Sequence, residues 1–190
     1  ALKIAIEAAI QMKIPYLTVW AFSTENWRRP EEEVTGLFNL FRIALKRDLP
    51  EFHKQNIRLR VLGLREGLDP DLVELIEQGE ELTKNNTALQ LNVAFNYGGR
   101  ADILHAIQKV ASLVADGSLA PKDITEDLIT DNLLTHDLPD PDLIIRTGKV
   151  SRISNFMLWQ GFYAELVFQD IMWPEFTKNK FYEALRAFES

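Results

Sequence analysis

Three features of the chain predict an α/β fold with a mostly parallel central sheet and helices on both faces. Short β-branched or apolar runs at 16–21, 57–62, 89–95 and 143–145 alternate with longer stretches of helical periodicity. Polar loops follow several of these runs, and open α/β sheets place their ligands in such loops. No repeat, low-complexity tract or linker interrupts the 190 residues, so a single domain over 1–190 is expected.

The elements follow in order. Residues 1–13 read as an amphipathic helix with Leu2, Ile6, Ala9 and Ile10 near one face. A strand over 16–21 comes next. Pro30 suits the first position of the following helix, and Glu31, Glu32 and Glu33 suit the positive end of its dipole. That placement accounts for the acidic run without a metal. Leu37, Leu40, Phe41, Ala44 and Leu45 form a broad apolar stripe, and Pro50 is expected to kink or interrupt the helix. Residues 57–62 alternate as a strand ending at Gly63, and 70–84 form a helix stopped by Asn85 and Asn86.

The strand 89–95 leads into Asn96, Tyr97, Gly98, Gly99 and Arg100, where a helix begins and runs to Val114. Its first amides are expected to face an anion. Asp116 and Gly117 turn the chain, and Thr125 caps a short helix through Leu134. Pro139 and Pro141 restrict the segment carrying Asp140 and Asp142, which reads as a stiff entry into 143–145 rather than a metal cluster. A strand over 165–172, a break at Trp173 and Pro174, and a helix over 178–188 complete the pattern.

Composition narrows the function. Hydrophobic residues make up 46% and charged residues 26%, an ordinary globular balance. A net charge of −7 argues against non-specific nucleic-acid binding. The absence of cysteine excludes disulfides and thiolate chemistry. His53, His105 and His136 lack metal-site spacing. No run of roughly 20 apolar residues is present, so any membrane role would be peripheral. Neither a G-x-G-x-x-G nor a P-loop nor a G-x-S-x-G elbow occurs.

Two loops carry the chemistry. Residues 146–160 leave an apolar strand with Arg146, Arg152 and several hydroxyls before turning apolar again at Phe156. Arginine forks match phosphate oxygens, and hydroxyls and loop amides fill the remaining acceptor sites. Residues 21–30 likewise follow a strand and carry Ser23, Thr24, Glu25, Asn26, Trp27, Arg28 and Arg29. Either loop alone would read as a solvated surface segment. Together they suggest one cleft for a phosphorylated substrate with an apolar part. Trp159 and Trp173 read as core or interface residues, whereas Trp27 sits in a polar loop where a substrate contact is as reasonable.

The strings FSTENWRRP, FNYGGR and RT…RISNFMLWQ…YAE resemble the cis-prenyltransferase family, in particular its bacterial branch that makes undecaprenyl diphosphate. The similarity spans almost the whole chain in order. The D-D-x-x-D signature of the all-helical trans-prenyltransferases is absent. The resemblance implies a transferase that condenses isopentenyl diphosphate with an allylic diphosphate, farnesyl diphosphate being expected, to give a long-chain cis-polyprenyl diphosphate. Carried over position by position, it implies that Arg146, Arg152 and Ser154, with Ile153 between them, hold the diphosphate of isopentenyl diphosphate. Glu165 would bind Mg²⁺. Asn26 matches the proton-accepting position, and since an amide is a poor base it is expected to orient or relay. Ser23, Thr24, Glu25, Trp27 and Arg29 would contact substrate, with Arg29 near the allylic diphosphate. Leu37, Leu40 and Phe41 would line a product tunnel, a pattern that ordinary core packing also fits. A homodimer, a cytoplasmic location and peripheral contact with the inner membrane face are further implications.

The chain also departs from the family. The N-terminal loop with the D-G-N-G-R-W signature and the arginine- and glycine-rich C-terminal tail are not in these 190 residues, so this segment alone is expected to be inactive. The family's R-T-G-G-E-x-R reads here with Lys149 for a glycine and Val150 for the glutamate. Those changes leave two other readings open: a non-catalytic family member acting as a partner subunit, and a generic phosphate-binding α/β domain.

Overall fold

The structure, a computed structural model, describes residues 1–188. Its helices are α1 (Leu2–Gln11), α2 (Glu31–Lys54), α3 (Pro70–Thr83), α4 (Gly99–Ala115), α5 (Glu126–Thr130) and α6 (Lys178–Phe188). Its strands are β1 (Tyr16–Ser23), β2 (Ile57–Leu62), β3 (Leu89–Tyr97), β4 (Leu143–Arg146) and β5 (Glu165–Phe168). The expected α/β architecture is present, and the strand pairs are parallel. They are laid out as a three-stranded sheet ordered β1-β3-β2 and a two-stranded sheet of β4 and β5. The chain clusters into two compact units: Ala1–Tyr97 with Phe176–Phe181, and Gly98–Glu175 with the chain from Tyr182.

In the first unit, register explains the core. Leu17, Leu91 and Leu59 lie side by side across β1, β3 and β2, as do Val19, Val93 and Val61. The opposite face carries Thr18, Asn92 and Arg60 in register, and Asn92 donates to the Thr18 hydroxyl at 3.2 Å. α2 and α3 pack on β2 and on each other. Gly79 permits that approach, because a Cβ there would sit 3.3 Å from Leu59 and 3.4 Å from Leu49. Thr83 ties the layers: its hydroxyl donates to the Gly79 carbonyl and accepts the Leu59 amide, both at 2.9 Å.

α2 differs from expectation in three ways. Pro30 is its cap rather than its first residue. Pro50 lies inside an unbroken helix, because it is exposed and water can serve the carbonyl that its missing N–H leaves unpaired. The inward stripe is Val34, Phe38, Leu45, Asp48 and Phe52. Leu40 lies about 200° around the helix from Phe38 and is 63% exposed.

In the second unit, α4 packs on α5. α5 stops at Thr130, short of the expected Leu134, and the chain continues in turns in which the Asn132 side chain donates to the Leu128 carbonyl at 2.8 Å. β5 likewise ends at Phe168 rather than 172. A strand requires a partner, and β4 supplies only four residues; past them the Gln169 amide donates to the Arg146 carbonyl at 2.8 Å and the Gly148 amide to the Ile171 carbonyl at 2.7 Å, without a continued ladder.

Candidate active site

The first candidate loop is the exit from β1. Thr24–Arg28 forms a 3-10 helix. The Ser23 amide donates to Asn26 Oδ1 at 2.9 Å, one arm of a capping box that fixes where the loop turns. Asn26 therefore already uses one lone pair on structure, which leaves its amide group suited to orienting a partner rather than taking a full proton. The Trp27 indole N–H donates to Asn96 Oδ1 at 2.8 Å, and its ring meets Phe22 and Phe38 edge-on at 5.7 and 5.2 Å. The same ring is 40% exposed, so a polar tip is anchored while an aromatic surface stays open. Earlier in the same turn the Thr24 hydroxyl donates to Glu25 Oε2 at 3.4 Å. Arg29 is exposed and only 3.6 Å from Glu33, a weak surface pair that leaves the guanidinium available to a phosphate.

Of the residues expected to line a tunnel, Leu37 and Phe41 are half-buried and Leu40 is exposed. Phe41 stacks on Phe95 with centroids 4.1 Å apart and planes 12° from parallel. Phe22, Phe38 and Phe95 complete an aromatic cluster beneath Trp27.

The second candidate loop leaves β4 at Arg146, in the other unit. The Arg146 Nε is buried and has no hydrogen-bond partner among the described residues. An orphaned guanidinium donor costs about 1–3 kcal/mol, and such a donor invites an anion. Beyond it the backbone is contorted. Gly148 has φ 97°, and Lys149, Ser154, Asn155 and Met157 have φ of 57, 53, 68 and 44°. Clustered left-handed non-glycine residues mark loops held to shape by their surroundings, often at functional sites. Arg152 is exposed, and Ile153 and Ser154 are half-buried.

Asn155 supplies much of the restraint. The Gly99 amide donates to its carbonyl at 2.6 Å, and the Arg100 amide donates to its Oδ1 at 2.8 Å. The first two amides of α4, expected to face an anion, are therefore engaged by the backbone carbonyl and the neutral side chain of Asn155. Gly99 has room for nothing larger, since a Cβ would lie 2.6 Å from Leu158 Cγ. Gln160 finishes the loop by donating to Asp102 Oδ2 and to the Thr135 hydroxyl, both at 2.8 Å, in a network where Asp102 also accepts the Leu134 amide at 2.7 Å. Trp159 donates to Thr130 at 3.0 Å, a structural role as expected.

Glu165 opens β5 opposite Leu143, and its amide donates to the Asp142 carbonyl at 2.9 Å. Its side chain is exposed. Among the described residues no group of three or more acidic or histidine side chains could hold a metal. A lone exposed carboxylate still fits a magnesium ion that takes most of its ligands from phosphates and water. Sequence reading missed Asn96, Asn155 and the Asp102–Gln160 pair. Asparagine in a strand exit is the signal that was present, since it tolerates a left-handed backbone.

Known proteins align with this chain along its length. A family model, Prenyltransf, described as "Putative undecaprenyl diphosphate synthase", matches residues 1–190. An isoprenyl transferase of Agrobacterium fabrum is 45% identical over 188 residues, covering 99% of this chain and 76% of the relative. A ditrans,polycis-undecaprenyl-diphosphate synthase of Photorhabdus laumondii, described as specific for (2E,6E)-farnesyl diphosphate, is 47% identical over 188 residues, with 99% and 74% covered. Among solved structures, lavandulyl diphosphate synthase from Lavandula x intermedia, in complex with dimethylallyl diphosphate, superimposes with a TM-score of 0.94 at 34% identity, covering 98% of this chain and 81% of that one. A "probable undecaprenyl diphosphate synthase" from Campylobacter jejuni gives 0.87 at 36% identity, covering 98% and 87%. With its parallel α/β fold and motifs matched from end to end, the chain belongs to the undecaprenyl diphosphate synthase family of prenyltransferases.

Proposed function

We propose that the protein condenses isopentenyl diphosphate with farnesyl diphosphate and repeats the addition to yield undecaprenyl diphosphate. The buried, partnerless Nε of Arg146 is the observation that carries this reading at the level of the site. In each cycle the allylic C–O bond breaks, a C–C bond forms to the isopentenyl double bond, and a proton leaves the adjacent carbon. Arg146, Arg152 and Ser154 hold the isopentenyl diphosphate as a fork, a mobile cation and a hydroxyl donor. Arg29 meets the allylic diphosphate from an exposed position. Asn26, fixed by the Ser23 amide, orients the departing proton. Ser23, Thr24, Glu25 and the open face of Trp27 contact the allylic substrate. Leu37, Leu40 and Phe41 meet the growing chain, where each buried CH₂ contributes roughly 0.8 kcal/mol. Glu165 would hold Mg²⁺, which when bound neutralises charge developing on the diphosphate.

The family model spans 1–190, which supports one catalytic domain over this length. Phe162 and Tyr163 are 76% and 89% exposed just before β5, and Leu166 and Phe168 are 46% and 42% exposed on it. That apolar surface supports a homodimer, and sedimentation of the full-length protein as a monomer alone would count against it. No described helix is long and apolar enough to cross a membrane. We place the enzyme in the cytoplasm, with membrane contact made through its lipid product.

The test is incubation of the full-length protein with farnesyl diphosphate, radiolabelled isopentenyl diphosphate and Mg²⁺, with products read by mass spectrometry. A ladder ending in undecaprenyl diphosphate is expected, and absence of any elongated product overturns the proposal. Lys149 and Val150 favour one second reading, a non-catalytic partner subunit. It would be supported by turnover that arises only when an active family member is added.

A further inference from the structure

We infer that Asn96 is a positioning residue for the prenyl transfer, holding Trp27 and the 24–29 loop at the angle the allylic substrate meets. The inference rests on the reading of Trp27 as an allylic-substrate contact. Asn96, next to last in β3, has a left-handed conformation, φ 54°, and is 3% exposed. Its side chain is used on both ends. Oδ1 accepts the Trp27 indole N–H at 2.8 Å, and Nδ2 donates to the Leu64 carbonyl at 2.8 Å and the Glu66 carbonyl at 3.1 Å. Its own carbonyl accepts the Leu64 amide at 3.1 Å.

These bonds reach both sides of one ring. Trp27 lies between the aromatic cluster and the 63–67 turn, where a Cβ on Gly67 would sit 3.6 Å from the indole Cζ2. Asn96 fixes the ring through its N–H and fixes the turn through two carbonyls. Asn26 directly precedes Trp27 and is pinned to Ser23, so the anchored indole and the proposed proton-orienting amide belong to one short 3-10 turn. The bond ties a 3% exposed asparagine to a ring that is 40% exposed and so open to a ligand.

Asn96→Gly tests this in the full-length enzyme. Glycine keeps the left-handed backbone and the carbonyl bond to Leu64 while deleting the three side-chain bonds. The KM for farnesyl diphosphate is expected to rise about tenfold, the size of one lost buried hydrogen bond. The KM for isopentenyl diphosphate is expected to stay within about twofold. An unchanged farnesyl KM, or an equal rise in both, overturns the inference. The rise should also overlap that of Trp27→Phe, which removes only the N–H bond and indole contacts. A double mutant whose effect is the product of the two singles would show that they act independently, and would likewise overturn it.

A second measurement needs neither activity nor the variant. By NMR, with the signal assigned through its loss in Trp27→Phe, the Trp27 indole proton should exchange about a hundredfold more slowly than a free indole. Fast exchange overturns the inference whether or not Asn96→Gly folds. Failure of the wild-type enzyme to elongate any substrate would instead remove the reading beneath it, leaving a slowly exchanging proton to support the Asn96 anchor by itself.

Discussion

Arg146 and Glu165 stand at opposite ends of the β4–β5 pair. Arg146 lies opposite Phe168 and Glu165 opposite Leu143, so about 10 Å of strand separates the two backbones. In the proposed reaction the cation and the carboxylate would therefore serve different parts. Arg146→Lys keeps the charge but loses the buried Nε fork, and should raise the KM for isopentenyl diphosphate at least tenfold, about 1.4 kcal/mol. Glu165→Gln should instead raise the Mg²⁺ concentration needed for half-maximal rate and leave that KM near wild type. Initial-rate grids in both variables check the pair, and an identical pattern for the two variants would refute the separation.

Lys149 holds φ 57° where the family motif has glycine. Lys149→Gly should relieve left-handed strain of roughly 1 kcal/mol, partly offset by the freer unfolded chain. A urea midpoint that moves upward with unchanged slope is expected. A downward shift would mean that the exposed ammonium contributes more than the backbone loses.

Gly63 should tolerate no side chain. At φ 149° a Cβ would lie 1.7 Å from the Phe95 carbonyl oxygen, and backbone cannot yield as a flexible side chain does. Gly63→Ala should cost about 3 kcal/mol or more, read as a lowered melting temperature. Gly117→Ala makes the comparison, since no atom lies within 4 Å of its Cβ and only its φ of 81° opposes the change.

Acid stability should report Asp48. This carboxylate is largely buried on α2 and takes hydrogen bonds from Arg47 at 2.9 and 2.7 Å, with Lys3 at 3.7 Å. The bonds from Arg47 hold it below the usual carboxylate range. A folded-state pKa lower than the unfolded one stabilises at pH above the unfolded value, and the gain disappears as pH falls through the folded one. Asp48→Asn should therefore lose about 1–2 kcal/mol at neutral pH and converge with wild type in acid. Parallel urea titrations across pH would disprove this if the gap persisted at low pH.

Much of this fold was legible in the sequence because its strands are short, β-branched and bounded by turn residues. The stretches 16–21, 57–62 and 89–95 each became a parallel strand, with β1 and β3 running two residues further. The failures share a cause. Pro50 suggested a break because local chemistry disfavours proline in a helix, yet its exposed position removes most of that cost. The strand expected to 172 stopped early because a neighbour's length, invisible locally, sets where pairing ends. In the site, arginines and hydroxyls could be named from residue type. The roles of Asn96 and Asn155 could not, because each depends on partners tens of residues away.

Asn155 seated against the first amides of α4 has a consequence for how diphosphate is gripped. With those fixed backbone donors already engaged, the proposed grip on diphosphate would rest in part on the exposed guanidinium of Arg152, whose attraction is screened by ions in a way that a buried ring of amides is not. Affinity for the five-carbon building block should accordingly decline as potassium chloride is added, while the hold on the hydrocarbon tail of the lengthening product stays firm or tightens. Cellular ionic strength would then govern the supply of each new unit more than the retention of the lipid already made.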